Sequence, residues 1–204
     1  DTSRTPARQR NPFSGAGNYP RAVTYFEQRR AFASTANAPQ TLWMTRSGTE
    51  SNMDVSLPSR EDDAVNFRIA AREANTIRHL TPLQDLMVMT QSAEWRVNSD
   101  ISPTSLSVKP QSFVGAGQAV PLVVNNNMLF VADRGGHVRE LGFSNDAGGY
   151  VTGDLSLRSS HLFDGLDIVD TAQSKAPYPI CWFVSTSGLL LGLTYIPEQQ
   201  VYAW

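Results

Sequence analysis

Three short, wholly apolar runs constrain this chain more than any other feature. They are LMVM at 86–89, MLFVA at 128–132 and ICWFV at 180–184. A half-exposed strand alternates apolar and polar residues, whereas a strand covered on both faces does not. These runs have no polar side of their own, so they predict strands buried on both faces. Each follows an apolar strand and a short turn: TIRHLTPL, AVPLVV and LDIVDTA lead into them. Each precedes another turn and another strand: EWRV at 94–97, HVRELGF at 137–143 and LLLGLTY at 189–195. Gly135-Gly136 and Ser187-Gly188 mark two of the turns, because glycine takes positive φ without steric cost.

The runs centre near Leu86, Phe130 and Trp182, which lie 44 and 52 residues apart. A repeat of this length with about four strands per unit is the pattern of a β-propeller blade. TLWMTR at 41–46 reads as the matching strand of a first blade. The predicted fold is therefore all-β and β-propeller-like, with about four blades of antiparallel strands. Four is the low limit for closing such a ring. A β-sandwich is the alternative, although it would alternate more and carry no such repeat. In LLLGLTY, Leu189, Leu191, Leu193 and Tyr195 form a strong face, and Leu190, Gly192 and Thr194 a lighter one. QQVYAW reads as the outermost strand of the last unit.

Elsewhere the signals are mixed. Residues 1–20 have loop composition and read as an irregular N-terminal segment, with 21–204 as the propeller-like domain. AVTYFEQRRAFAS offers two strands around a turn near Glu27 to Arg29. SNMDVSLPSREDD is polar and rich in turn formers. AVNFRIAAREANTIRHL alternates at Val65, Phe67 and Ile69; the stretch 69–74 suits a helix equally, and strand is preferred. The chain opens on Asp1, not Met, and is expected to be a fragment of a longer one. No leader of the secretory kind is visible.

The chain has 204 residues and a formal net charge of -2, unevenly spread. Residues 1–30 carry Arg4, Arg8, Arg10, Arg21, Arg29 and Arg30 against Asp1 and Glu27, and the remainder is net acidic. An acidic body argues against tight phosphate binding, since it offers no basic face to release counterions. The Arg-bearing start reads as a solvated loop or as a docking segment for a neighbour. No apolar run is long enough for a membrane helix. Cys181 is the single cysteine, so no internal disulfide forms, which fits a reducing compartment. Its apolar setting marks a core thiol.

Signals for chemistry are weak. His79, His137 and His161 show no ligand spacing for zinc, and His137, after its glycine pair, reads as exposed. Glu61, Asp62 and Asp63 read as a solvated turn, because a glycosidase pair must face across a cleft. NDAGGYVTGD at 145–154 lacks the spacing of a calcium loop and reads as a long hairpin loop. Trp43, Trp95 and Trp182 fall within predicted strands and read as core; Trp204 reads as an exposed edge. The sequence therefore assigns no catalytic, cofactor-binding or metal residue, and no cofactor.

Several stretches together resemble one family. NYPRAVTYFEQRRAFASTANAPQTLWMTRSGTESNMD, DDAVNFRIAAREANTIRHLTPLQDLMVMTQSAEWRV, MLFVADRGGHVRELGF and LLLGLTYIPEQQVYAW are similar to the tail tubular protein B, or tail nozzle, family of short-tailed bacteriophages. The likeness covers roughly residues 18–204. It implies a non-enzymatic structural virion protein with a propeller-like platform. It further implies a ring of identical copies beside adaptor and other tail proteins, through which DNA leaves without specific binding. Assembly would take place in the bacterial host cytoplasm. The alternative is a carbohydrate-binding or glycan-cleaving propeller module of a phage tail. An interaction propeller of host origin ranks behind both, since the Gly-His and Trp-Asp repeat signatures are missing.

Overall fold

A computed structural model describes residues 11–70 and 75–204. Nearly all regular structure is β. Among the described residues there are sixteen strands in four antiparallel sheets, and each sheet consists of four consecutive strands in sequence order. Two 3-10 segments, Leu157–Leu162, kinked at Ser159, and Pro197–Gln199, complete the regular structure of the described residues. The chain divides into two compact units, one of residues 1–90 and 95–110, the other of residues 91–94 and 111–204.

In the first unit, the first sheet holds β1 (Ala22–Phe26), β2 (Arg29–Ala33), β3 (Thr41–Met44) and β4 (Val65–Arg68). β1 and β2 pair from Ala22↔Ala33 to Phe26↔Arg29. The two residues between them, Glu27 and Gln28, have φ of 46° and 58°. That backbone matches the right-handed twist of the hairpin, and the pairing gained offsets the cost of left-handed non-glycine residues. The second sheet holds β5 (Ile77–Pro82), β6 (Leu86–Thr90), β7 (Glu94–Val97) and β8 (Val108–Ser112). β6 is buried along its whole length, as its apolar run requires. Leu42, Met44, Ile77, Leu86 and Val88 share one core with Phe26, Ile69 and Val97. Each such side chain contributes about 1.5–3 kcal/mol by leaving water.

The second unit repeats the plan. Its first sheet holds β9 (Leu122–Val124), β10 (Asn127–Val131), β11 (Val138–Ser144) and β12 (Gly149–Asp154). Asn125 and Asn126, with φ of 48° and 66°, close the β9–β10 hairpin. The last sheet holds β13 (Ile168–Ser174), β14 (Ile180–Ser185), β15 (Leu190–Ile196) and β16 (Val201–Ala203). Leu129, Val131, Phe163, Cys181, Phe183, Leu193 and Tyr195 form the core. In β14, Cys181 and Phe183 are buried while Ile180, Trp182 and Val184 are half-buried. One face of that run is therefore fully covered, and the other only partly.

Several expectations need correction. TLWM forms the third strand of its sheet; RRAFA holds the second position that the apolar runs hold elsewhere. TLWM matches those runs in burial instead, since all four of its residues are buried. In NDAGGYVTGD the turn is short, and residues from Gly149 onward form strand β12. On β15 the strong face begins only at Leu191, because Leu189 and Leu190 are exposed. The strand reading of 65–68 holds; the ambiguous stretch beyond Ala70 lies outside the described residues until Asn75.

Candidate functional site

The most densely bonded side chain of the first unit is Arg29, the first residue of β2. Strand β2 alternates, with Arg29, Ala31 and Ala33 facing inward. That alternation carries a guanidinium into the interior, where it is only 3% exposed. Its Nη1 donates to Thr45 O at 2.9 Å and Asp63 O at 2.6 Å, and its Nη2 to Glu61 O at 2.8 Å and Ile101 O at 3.3 Å. The planar fork satisfies four carbonyls, three from the β3–β4 loop and one from the β7–β8 loop, which a lysine could not do. Burial lowers the Arg29 pKa, against the attraction of Asp62 and Asp63.

Above Arg29 lies an open basin of about 470 Å³, lined by Glu27, Gln28, Ser47, Glu61, Asp62, Asp100 and Ser102 among others. The Glu61-Asp62-Asp63 run is not the uniform solvated turn expected. Asp63 is fully buried and accepts from Ser56 N, Ser56 Oγ and Arg60 N, each at 2.8 Å. Burial alone would raise its pKa, but these hydrogen bonds outweigh burial and hold it below the ordinary value. Asp62 pairs with Arg46 at the surface, and Glu61 is exposed. The three acids thus sit in three different settings, and two of the carboxylates hold a partner.

On the first sheet, a cluster of rings covers β2 and β3. Phe13 packs on Phe32 with ring centroids 4.9 Å apart and on the edge of Trp43 at 5.4 Å. Cavities of about 220 and 450 Å³ flank this cluster, and Met53 lines both. The segment expected to be simple loop therefore supplies an anchor. The sequence signal was an aromatic residue between Pro12 and Ser14, in a stretch otherwise free of large apolar residues.

In the second unit, Tyr195 on β15 reaches across to β10 and β11. Its hydroxyl donates to Glu140 Oε1 at 2.6 Å and accepts from Asn127 Nδ2 at 2.8 Å; Asn127 also donates to Glu140 at 2.7 Å. Burial and the neighbouring Glu140 raise the Tyr195 pKa, so the phenol stays protonated. His137 is half-buried, not exposed: its Nδ1 lies 3.5 Å from Asp154 and its ring stacks on Phe163. His79 is half-buried on β5, and His161 is exposed in a 3-10 turn. Cys181 is buried, and burial pushes its thiol up to about 11. Glu94, the first residue of β7, is fully buried. Burial raises its pKa despite hydrogen bonds from Ser112 and Val114.

Trp43, Trp95 and Trp182 lie on β3, β7 and β14; Trp43 is buried, whereas Trp95 and Trp182 are only half-buried. Trp204 is no exposed edge. It packs on Phe163 at 4.7 Å and Phe183 at 5.5 Å, and its Nε1 donates to Leu155 O at 2.9 Å. Among the described residues, no three His, Cys, Asp or Glu side chains are grouped so as to hold a metal ion. No helix among them is long and apolar enough to cross a membrane. Compared with known proteins, the chain matches no family profile and no curated sequence.

Proposed function

We propose that this chain is a non-enzymatic structural component of a phage tail, part of the nozzle ring through which DNA leaves the particle. The reading rests on the resemblance of its motifs to the tail tubular family. The observation that carries it furthest is the modular plan of four sheets, each built from four consecutive strands. Within the first unit the leading strands β1 and β5 approach each other, and within the second so do β9 and β13. Leading strands that converge while later strands lie further out are what propeller blades require. The proposed architecture is accordingly a propeller-like platform of about four blades.

The side chains favour assembly over chemistry. Arg29, Asp63, Tyr195 and Glu140 spend their polar groups on one another or on nearby backbone. Large apolar residues stay exposed on strands and turns, among them Val23, Tyr25, Val169, Leu189 and Leu190. Such residues suit contacts with further copies and with adaptor proteins. An acidic lining such as the Glu27, Glu61, Asp62 and Asp100 rim would let DNA pass without gripping its phosphates.

The test is peptide mass spectrometry of purified phage particles, quantifying AFASTANAPQTLWMTR (residues 31–46) against the major capsid protein. The expected result is a low fixed copy number, on the order of six to twelve per particle as for a closed ring. Absence from clean particles, with abundance in the infected lysate, would remove this reading.

A further inference from the structure

We infer that copies of this chain join head to tail through two different sheet faces. The open apolar face of the last sheet, around Trp182, Val184 and Leu190, takes the outer face of the first sheet, around Arg21, Val23 and Tyr25, from a second copy. The inference rests on the proposal that copies assemble, and names the two surfaces that meet.

The register of the last sheet fixes what its open face presents. Asp170, Val184 and Leu190 lie side by side across β13, β14 and β15, and Ala172, Trp182 and Gly192 form the next row. The opposite face carries Cys181, Phe183, Leu193 and Tyr195 into the core. On the open face Leu190 is 60% exposed, Asp170 and Ala172 are exposed, and Trp182 and Val184 are half-buried. ICWFV is nevertheless an apolar run of the same kind as LMVM, which is buried throughout on β6. A run without a polar side suits a strand covered on both faces. β14 has that composition and one full cover, so its second face has the chemistry of a contact surface.

Within each unit, what covers a sheet face is another sheet, packed with the leading strands close together: β1 near β5, and β9 near β13. The same stacking on the open face of the last sheet calls for a sheet whose own outer face is bare. The first sheet has one. Its inner face, with Ala31, Ala33, Leu42 and Met44, lies in the core. On its outer face Phe13 covers Phe32 and Trp43. The leading strand beside them stays bare, with Val23 59% and Tyr25 57% exposed. Arg21, also exposed, continues that row, since its backbone N–H donates to Ala33 O and Ser34 O at the end of β2.

Charge selects the pairing. Asp170 is the one charged residue in the registered rows of the open face. It stands near the start of its leading strand, third in β13, as Arg21 stands just before β1. Leading strands laid side by side in the same direction bring the guanidinium against the carboxylate. Complementary charge of this kind fixes which faces pair and in which register. A contact between two different faces is heterologous, and it generates a ring when its rotation closes.

The experiment uses the full chain and two variants at exposed positions, Val23→Glu on the first sheet and Leu190→Glu on the last, in sedimentation velocity across a concentration series. A carboxylate is costly to desolvate in an apolar contact. The parent should associate with rising concentration into species larger than a pair. Each variant alone should stay monomeric, because every contact with its own kind includes one spoiled face. Their equimolar mixture should give a one-to-one pair and nothing larger. That pair joins the intact first sheet of the Leu190→Glu chain to the intact last sheet of the Val23→Glu chain. Asp170→Arg in the Val23→Glu chain should weaken the pair at least several-fold, and Arg21→Asp in the other chain should restore it. The same charge swap in the otherwise unaltered chain repeats the test without either glutamate. A parent that stays monomeric throughout, or association indifferent to both charge reversals, overturns the inference. So does a Val23→Glu chain that associates as the parent does, which would mean that the last sheet takes its own copy. Particles that hold the chain at a fixed copy number, with a purified chain that fails these tests, would remove the stacking and leave the virion reading intact. Association as described by a chain absent from clean particles would uphold the stacking and remove the virion reading.

Discussion

The ring of Trp182 lies over Gly192, its partner across strands β14 and β15, so closely that a Cβ on the glycine would sit 2.8 Å from Trp182 Cζ3. The aromatic covers the backbone that glycine leaves bare, a device that restores packing where a strand lacks a side chain. Gly192→Ala is expected to destabilise the protein by about 1 kcal/mol, because the ring must shift from its seat. In a Trp182→Ala background the same change should be neutral or favourable, since the clash is gone and glycine is a poor strand residue. A double-mutant cycle in urea checks this; equal penalties in both backgrounds would refute the contact.

Arg29 has four carbonyl acceptors and no substitute. Arg29→Met should destabilise by about 3–5 kcal/mol, as buried acceptors are left without donors. Arg29→Lys should recover only part, because an ammonium cannot reach all four carbonyls of the two loops at once. Chemical denaturation of both variants measures the difference. A lysine variant as stable as the parent would show that charge, not the fork, matters.

Asp63 and Glu94 should pull acid stability in opposite directions. The folded pKa of Asp63 is lowered, with hydrogen bonds from Arg60 and Ser56 overcoming burial. Its contribution is therefore present above the unfolded value of about 3.9 and lost as pH falls through the folded one. Asp63→Asn is expected to cost stability at pH 7, and the cost should shrink below about pH 4.

The folded pKa of Glu94 is raised, chiefly by burial. Its contribution is present below the unfolded value of about 4.3 and fades as pH rises through the folded one. Glu94→Gln should hence stabilise at neutral pH and make little difference in acid. Urea midpoints from pH 3 to pH 8 test both variants; parallel curves for parent and variant would contradict either assignment.

Trp204 closes one end of the second unit's core. Trp204→Ala, or removal of that residue, should cost about 2–3 kcal/mol; the loss is less than for a fully buried tryptophan, because the side chain is only half-buried. Loss of a blue-shifted emission component together with a lower thermal midpoint would be the joint signature. An unchanged midpoint would return Trp204 to the role of an edge residue.

The strands that the sequence reveals are those whose chemistry burial dictates. LMVM, MLFVA and ICWFV are legible because no polar residue interrupts them, and Ser187-Gly188 because glycine accepts φ of 84°. The outer strands are not legible. VKPQS on β8 and GYVTGD on β12 face solvent over much of their length, so selection for apolar alternation is weak and turn formers such as Gly153 are tolerated. The inward role of Arg29 is not legible, because arginine is ordinarily a surface residue; only the alternation in RRAFA marks it as inward-facing. Asp63 was hidden among acids of the same kind, since its role comes from loop residues that fold back upon it. The packing of Trp204 is not legible because its partners Phe163 and Phe183 are distant in sequence.

The ordering of strands within sheets has a consequence for synthesis. Among the described residues every sheet ladder joins neighbours in the chain, so none of these strands must wait for a partner made much later. Pairings this local keep loop-closure entropy small and folding quick for an all-β chain. A nascent polypeptide can complete one sheet while the ribosome is still translating the next. By the same logic, gain or loss of a whole four-strand module at the level of the gene leaves every remaining ladder with its original neighbours. The architecture can change in length without being redesigned.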